Sequence, residues 1–253
     1  MPRRGPGGPG KRGPGEGAGP GRGEAEGSRS LAKRVKTAKG RKLSSTLWIQ
    51  RQLNDPYVQR ARAAGYRSRA AYKLIEIDDK HRLLRPGQTV VDLGAAPGGW
   101  SQVAAARTRA TSGRPVVAID VLPMDPLDGV TILVGDFNDP DASARLVEAL
   151  GGRRPDVVLS DLAPETTGHR ATDHLRIVAL AELAQDFALR TLAPGGAFLA
   201  KVYQGGSEAD LLAALRRGFR TVRHVKPPAS RPASPETYVL GTGFRGAPFR
   251  GPA

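Results

Sequence analysis

The chain has 253 residues, 39% of them hydrophobic, and carries 39 Lys and Arg against 24 Asp and Glu, for a formal charge of +15. That length supports one good core and one or two domains, and the charge points to a polyanionic partner: RNA, DNA or an acidic membrane face. The lack of Cys excludes disulfides, thiolate catalysis and cysteine-held metals, and no apolar run approaches the roughly 18 residues of a membrane span.

Residues 1–42 read as a basic Gly/Pro/Arg-rich tail. Its first 40 positions hold ten Lys and Arg, three Glu and almost no branched apolar residues, too little to offset the entropy of ordering. A nonspecific RNA-binding arm and a solubilising extension are equally good readings of it. No apolar segment follows its basic residues, so it is not a secretory signal, and its Pro/Gly density opposes a transit helix. Order is expected from about Leu43 to the end of the chain. In 46–64, Trp48, Tyr57 and several arginines are interleaved, which suits either contact with phosphates and bases or a plain amphipathic helix. Ser68 can cap a helix running to about Leu84, stopped by Pro86-Gly87. Ala70, Leu74 and Ile77 form its buried stripe, and Lys73 leans toward that stripe.

Val90 to Trp100 reads V-V-D-L-G-A-A-P-G-G-W: an apolar strand, a glycine-rich turn and the entry to a helix over Ser101–Ala110. This is how an α/β sheet brings backbone N–H groups up to a nucleotide-like ligand. The spacing is not that of a dinucleotide fingerprint or of a triphosphate loop. Further strands are expected at Val116–Val121, Thr131–Val134, Val157–Leu159, Ala197–Val202, Thr221–Lys226 and Thr237–Gly241. Helices are expected at Ala142–Leu150, Thr172–Leu192 and Glu208–Arg217. Such alternation predicts one α/β domain, a mostly parallel sheet covered on both faces, with ligands at the strands' carboxyl ends.

Asp92, Asp120, Asp136 and Asp161 each fall in or beside the end of one of these strands. Asp120 lies 22 residues after Gly98, where an acid can accept from both hydroxyls of a ribose, and Asp136 could accept from an adenine amino group. A ligand with a ribose and a base but no phosphate chain is implied, and S-adenosylmethionine fits best. His169 and His174 are five apart, off the one-face spacing of helical metal pairs, and no metal site is expected.

The ordered motifs S-R-A-A-Y-K-L, D-L-G-A-A-P-G-G-W-S-Q, D-V-L-P-M-D-P, G-D-F, S-D-L-A-P, L-A-P-G-G-A-F-L-A-K-V-Y-Q-G and S-P-E-T-Y closely resemble the FtsJ/RrmJ family of ribose 2′-O-methyltransferases, over roughly Leu43 to Phe244. The resemblance implies a class I, Rossmann-like methyltransferase fold: a seven-stranded sheet with helices on both faces and the last strand antiparallel. It implies a catalytic set of Lys73, Asp161, Lys201 and Glu236, and cofactor contacts by Gly98, Trp100, Asp120, Asp136 and Asp161. The implied partner is 23S large-subunit rRNA or the 50S subunit, modified at a uridine of the A-loop in the course of ribosome maturation. A cytoplasmic monomer with no membrane contact is expected. Pro235, directly before Glu236, departs from many relatives and bears on where Glu236 sits. A tRNA anticodon-loop enzyme is a weaker fit, since that branch usually has C-D-G-A-P where this chain has S-D-L-A-P. A ribosome-assembly factor with secondary methylation is the remaining alternative.

Transfer to a ribose hydroxyl needs the oxygen aligned and its proton removed. A lysine with an ordinary pKa near 10.4 is a poor base at neutral pH, so a second cation or burial is needed to free it. Lys201 is expected to deprotonate or polarise the hydroxyl with Asp161 orienting it, although residue types alone do not rank Lys201 above Lys73. Arg67, Arg69, Lys226 and Arg231 are expected to contact phosphates.

Overall fold

A computed structural model describes residues 49–50, 52–164, 167–203 and 209–246. The expected tail at 1–42 lies outside the described residues. Seven strands form one sheet: β1 (Val90–Leu93), β2 (Val116–Asp120), β3 (Val130–Val134), β4 (Val157–Ser160), β5 (Ala197–Tyr203), β6 (Phe219–Val225) and β7 (Glu236–Phe244). Their order is β3-β2-β1-β4-β5-β7-β6. The ladders from β3 to β5 are parallel, and β7 runs antiparallel to both neighbours. This is the sheet that the motif order implies.

The alternation of side chains along each strand separates two cores. Val91 and Leu93 of β1 face a layer with Leu146, Phe187 and Leu215, drawn from helices α4 (Ala142–Ala149), α5 (Arg170–Thr191) and α6 (Ala209–Gly218). Val90 faces the other layer, with Leu74 and Ile77 of α2 (Ala71–His81) and Trp100 and Val103 of α3 (Gly99–Thr108). Each fully buried Leu, Ile or Phe contributes about 1.5–3 kcal/mol. Parallel strands covered on both faces must be apolar throughout, and β1, β2 and β4 are buried with the exception of Asp120 at the end of β2.

Several element ends differ from the sequence reading. Ser68 does not cap α2: its hydroxyl is buried without a partner, and its carbonyl accepts from Ala71 N–H instead. The helix also stops before Leu84, because Arg82 turns left-handed at φ 55° and the buried Asp78 carboxylate accepts from Leu84 N–H at 2.7 Å. Helix α1 (Pro56–Ala63) is capped by Asp55, which accepts from Tyr57 N–H at 3.0 Å. Pro235 lies just outside β7, and Glu236 opens the ladder opposite Tyr203.

Candidate active site

A cleft of about 670 Å³ lies at the carboxyl ends of β1 to β4, closed on one side by α5. Asp120, Asp136 and Asp161 all line it, among Gly94, Ile119 and Leu162. The Asp120 carboxylate is held by both ends of the turn system: Ala96 N–H donates to Oδ2 at 2.8 Å and Leu122 N–H to Oδ1 at 2.9 Å. Asp136 Oδ1 accepts from Asn138 N–H and from its side-chain amide. Each Asp120 oxygen retains a second lone pair for a ligand donor, and Asp136 retains its Oδ2. In a chain with a charge of +15, a cleft with three carboxylates in its wall suits a cationic ligand that also carries hydroxyl and amino donors.

Gly98 and Trp100, the other two expected cofactor contacts, are not among the cleft's lining residues. Gly98 sits at φ 107° before α3, where a Cβ would meet the Arg67 and Leu127 side chains. The Trp100 ring is 2% exposed, donates through Nε1 to Ala70 O at 2.8 Å and lies against Tyr238 at 5.6 Å between centroids. This ring is a core element, so a cofactor could meet Trp100 only through its backbone at the start of α3.

Behind the cleft, the structure brings Lys73, Asp161, Lys201 and Glu236 into one cluster. Lys201 on β5 pairs with Asp161 Oδ1 at 3.1 Å and donates to Asp161 O at 2.7 Å. Lys73 on α2 pairs with Glu236 at 2.8 Å. Tyr238 joins the two pairs: its hydroxyl lies 3.1 Å from Asp161 Oδ1 and 3.4 Å from Glu236 Oε1. Ser230 donates to Glu236 Oε1 at 2.9 Å. Both lysines are under 9% exposed, and a buried ammonium of this kind persists only with such partners. Burial pushes Asp161 up, but the charges of Lys201 and Lys73, with hydrogen bonds from Lys201 and Tyr238, outweigh it and hold the carboxyl below its ordinary value. Burial, then the charges of Asp161 and Glu236, raises the Tyr238 phenol well above its ordinary range, so it remains a neutral donor.

Tyr238 and Ser230 carried no role in the sequence reading. Tyr238 was reachable in principle: residues i and i+2 of a strand share a face, so a functional Glu236 implies Tyr238 beside it. Ser230 lies in the loop after β6, and no periodicity reports where that loop folds back.

Asp92 occupies a different position from the other strand-end acids. It lies inside β1, is fully buried, accepts from Ser101 Oγ at 2.6 Å and leaves Oδ1 without a partner. Burial raises its pKa to about 7; Ser101 opposes this, and Asp161 and Asp120 add to it. The sign follows from proton counting. Between about pH 4 and 7 the native state keeps a proton that the unfolded chain has lost, so stability falls as pH rises through that window. The full fall is on the order of 4 kcal/mol at about 1.4 kcal/mol per pKa unit. Asp92→Asn, which cannot ionise, is expected to flatten the dependence, checked by urea midpoints at pH 5 and pH 8. Equal pH dependence in the variant and the wild type would exclude Asp92 as the source.

The four cations expected at phosphates are engaged within the protein. Arg67 donates to the carbonyls of Pro97, Asp125 and Pro126, bracing the glycine-rich turn. Arg69 and Arg231 both pair with Asp55, at 3.0 and 3.1 Å, and Arg69 also donates to Ala229 O. Lys226 donates to Ser234 O at 2.8 Å. For Arg69, Arg231 and Lys226 the physical reason is that the start of α1 and the 227–234 loop pack together and present carbonyls and a buried carboxylate that need donors.

A family model described as FtsJ-like methyltransferase matches residues 66–244. The chain is 62% identical over 221 residues to the Ribosomal RNA large subunit methyltransferase E of Mesorhizobium japonicum, covering 87% of this chain and 83% of that protein. It is 61% identical over 226 residues to the protein of the same name from Paramagnetospirillum magneticum, covering 88% and 92%. Among solved structures, a Plasmodium falciparum protein described as a ribosomal RNA methyltransferase superposes with a TM-score of 0.64 at 32% identity, over 72% of this chain and all of that one.

Proposed function

The chain belongs to the FtsJ-like methyltransferase family, and from that premise we propose that it is an S-adenosylmethionine-dependent ribose 2′-O-methyltransferase of large-subunit ribosomal RNA. The substrate is a uridine in the A-loop of 23S rRNA, met as large-subunit rRNA or in the 50S subunit during ribosome maturation. The enzyme acts as a monomer in the cytoplasm; no described helix is long and apolar enough to cross a membrane. Residues 43–253 form the methyltransferase domain, and residues 1–42 are an extension outside it.

The cleft's donor set fits the cofactor: Asp120 would hold the ribose hydroxyls, Asp136 the adenine amino group, and Asp161 would face the cationic end. Bound there, S-adenosylmethionine supplies an activated methyl group. The chain's own work is to align the acceptor hydroxyl and move its proton. The observation that carries the reading is that Asp161 both lines the cleft and binds Lys201. Lys201 is thereby the lysine next to the cleft, whereas Lys73 is held one residue further back by Glu236. Lys201 polarises the 2′-oxygen as an ammonium, or takes the hydroxyl proton as the free amine left once its own proton has gone to solvent; Asp161 fixes its nitrogen, and Lys73, Glu236 and Tyr238 keep the charges of the cluster in place.

The test is methyl transfer from labelled S-adenosylmethionine to large subunits that lack the modification. Label on a ribose 2′ oxygen of the A-loop is the expected result. Transfer to tRNA instead would move the chain to the anticodon-loop branch, and RNA binding without transfer would make it an assembly factor. A second expectation concerns affinity alone. Asp120→Ala removes acceptors for two ligand hydroxyls, at about 1–3 kcal/mol in total, so the cofactor Kd should rise about 10- to 100-fold by calorimetry. An unchanged Kd would remove Asp120 from the cofactor site.

A further inference from the structure

A second recess, of about 730 Å³, runs between the carboxyl half of α2 and strand β6. Lys80, His81, Arg223, His224 and Lys226 line it, together with two acids, Glu76 and Asp79. Those acids are already committed. Glu76 accepts from Tyr57 Oη at 2.8 Å and from Ala229 N–H at 2.6 Å, and Asp79 pairs with Arg107 at 2.7 Å. The side chains of Lys80 and Arg223 are exposed and make no hydrogen bond or ion pair among the described residues. Between them, His81 Nε2 is buried without a partner. The His81 ring is lowered in pKa by burial and then by the charges of Arg223 and Lys80, which reports a positive field at that point.

The recess and the catalytic cluster share helix α2. Lys73 and Lys80 are seven residues apart on α2, two turns along one face, or about 10 Å. In the β6·β7 ladder Val225 pairs with Tyr238 and Arg223 with Leu240, so the β6 wall of the recess begins at the strand position opposite Tyr238 and leads away from it. Strand β6 is the sheet's edge, paired only with β7. Arg220, Arg223 and His224 stand exposed on it, and charges on an edge strand discourage pairing with another chain.

We propose that this groove between α2 and β6 binds the phosphodiester backbone of the RNA strand flanking the reacting nucleotide, with Lys80 and Arg223 as its phosphate contacts. The proposal rests on the reading above that RNA is the substrate. Such contacts hold the strand in register without reading its bases. They also extend the binding surface about two helical turns beyond the site of methyl transfer.

The experiment compares the wild-type full chain with Lys80→Ala/Arg223→Ala and with the charge-preserving Lys80→Arg/Arg223→Lys. Binding to deproteinised large-subunit rRNA and to large subunits lacking the modification is measured across a salt series, alongside methyl transfer at saturating substrate. The alanine pair is expected to weaken rRNA binding about 10-fold at low salt and to make the slope of log K against log salt shallower by about 1.5–2, as two lost phosphate contacts require. Its saturating rate, cofactor Kd and melting temperature should stay at wild-type values, and the charge-preserving pair should bind like wild type. An unchanged affinity and slope, in a preparation whose wild type methylates, overturns the groove while leaving the enzyme reading intact. Weakened binding to subunits with unchanged binding to bare rRNA also overturns it, because the partner is then ribosomal protein. A wild type that methylates neither substrate fails the enzyme reading itself, whatever the variants bind.

Discussion

Lys201→Ala is expected to lower methyl transfer at saturating substrate by about 100- to 10,000-fold, the range that loss of a positioned acid–base group produces. Cofactor affinity should change little, because Asp120 and Asp136 line the cleft independently of Lys201. The variant should still fold. It leaves the Asp161 carboxylate without its ammonium partner, but Tyr238 continues to bond Oδ1 and 19% of the Asp161 side chain reaches solvent. Single-turnover transfer with labelled cofactor, with a melting curve as control, separates the two effects. A Lys201→Ala enzyme within tenfold of wild type, beside an inactive Lys73→Ala, would transfer the role to Lys73. The geometry argues against that result, since the Lys73 ammonium faces Glu236 and the Tyr238 ring rather than the cleft.

Gly94→Ala is expected to lose cofactor binding and a large part of the protein's stability together. Gly94 follows β1 at φ 74°, where an alanine costs about 1–2 kcal/mol. The added Cβ would also stand 2.9 Å from the backbone N and Cα of Leu162, which cannot rotate away as a side-chain end could. Overpacking of this kind costs about 1–3 kcal/mol more. The strand ends of β1 and β4 would have to part, and both Gly94 and Leu162 line the cleft. A drop in melting temperature of about 5–15 °C is expected for a domain of this size, with no measurable cofactor heat in calorimetry. Wild-type melting with normal cofactor binding would show that the turn relaxes more easily than the contact implies.

The glycine-rich turn, the strand-end acids and the alternation of strands and helices were legible because each is a local pattern. Asp120 and Asp136 reach the cleft wall because a parallel sheet delivers every strand's carboxyl end to the same edge. Asp92, read with them, went elsewhere: it is the third residue of β1, and the pleat turns it under α3 toward Ser101. Trp100 likewise stands next to the turn in sequence while its ring belongs to the core beneath it.

By itself the sequence determined the sheet, its covered faces and the residue types of the ion cluster, since hydrophobic period and motif order are properties of neighbouring positions. Only the tertiary structure decided who pairs with whom. Lys201 takes Asp161 across 40 residues and Lys73 takes Glu236 across 163, while arginines expected at phosphates turn inward to Asp55 and to loop carbonyls. The reason is physical: a buried charge takes whichever counter-charge packing brings within reach, and packing joins β5 to β4, and α2 to β7, with no trace in local order.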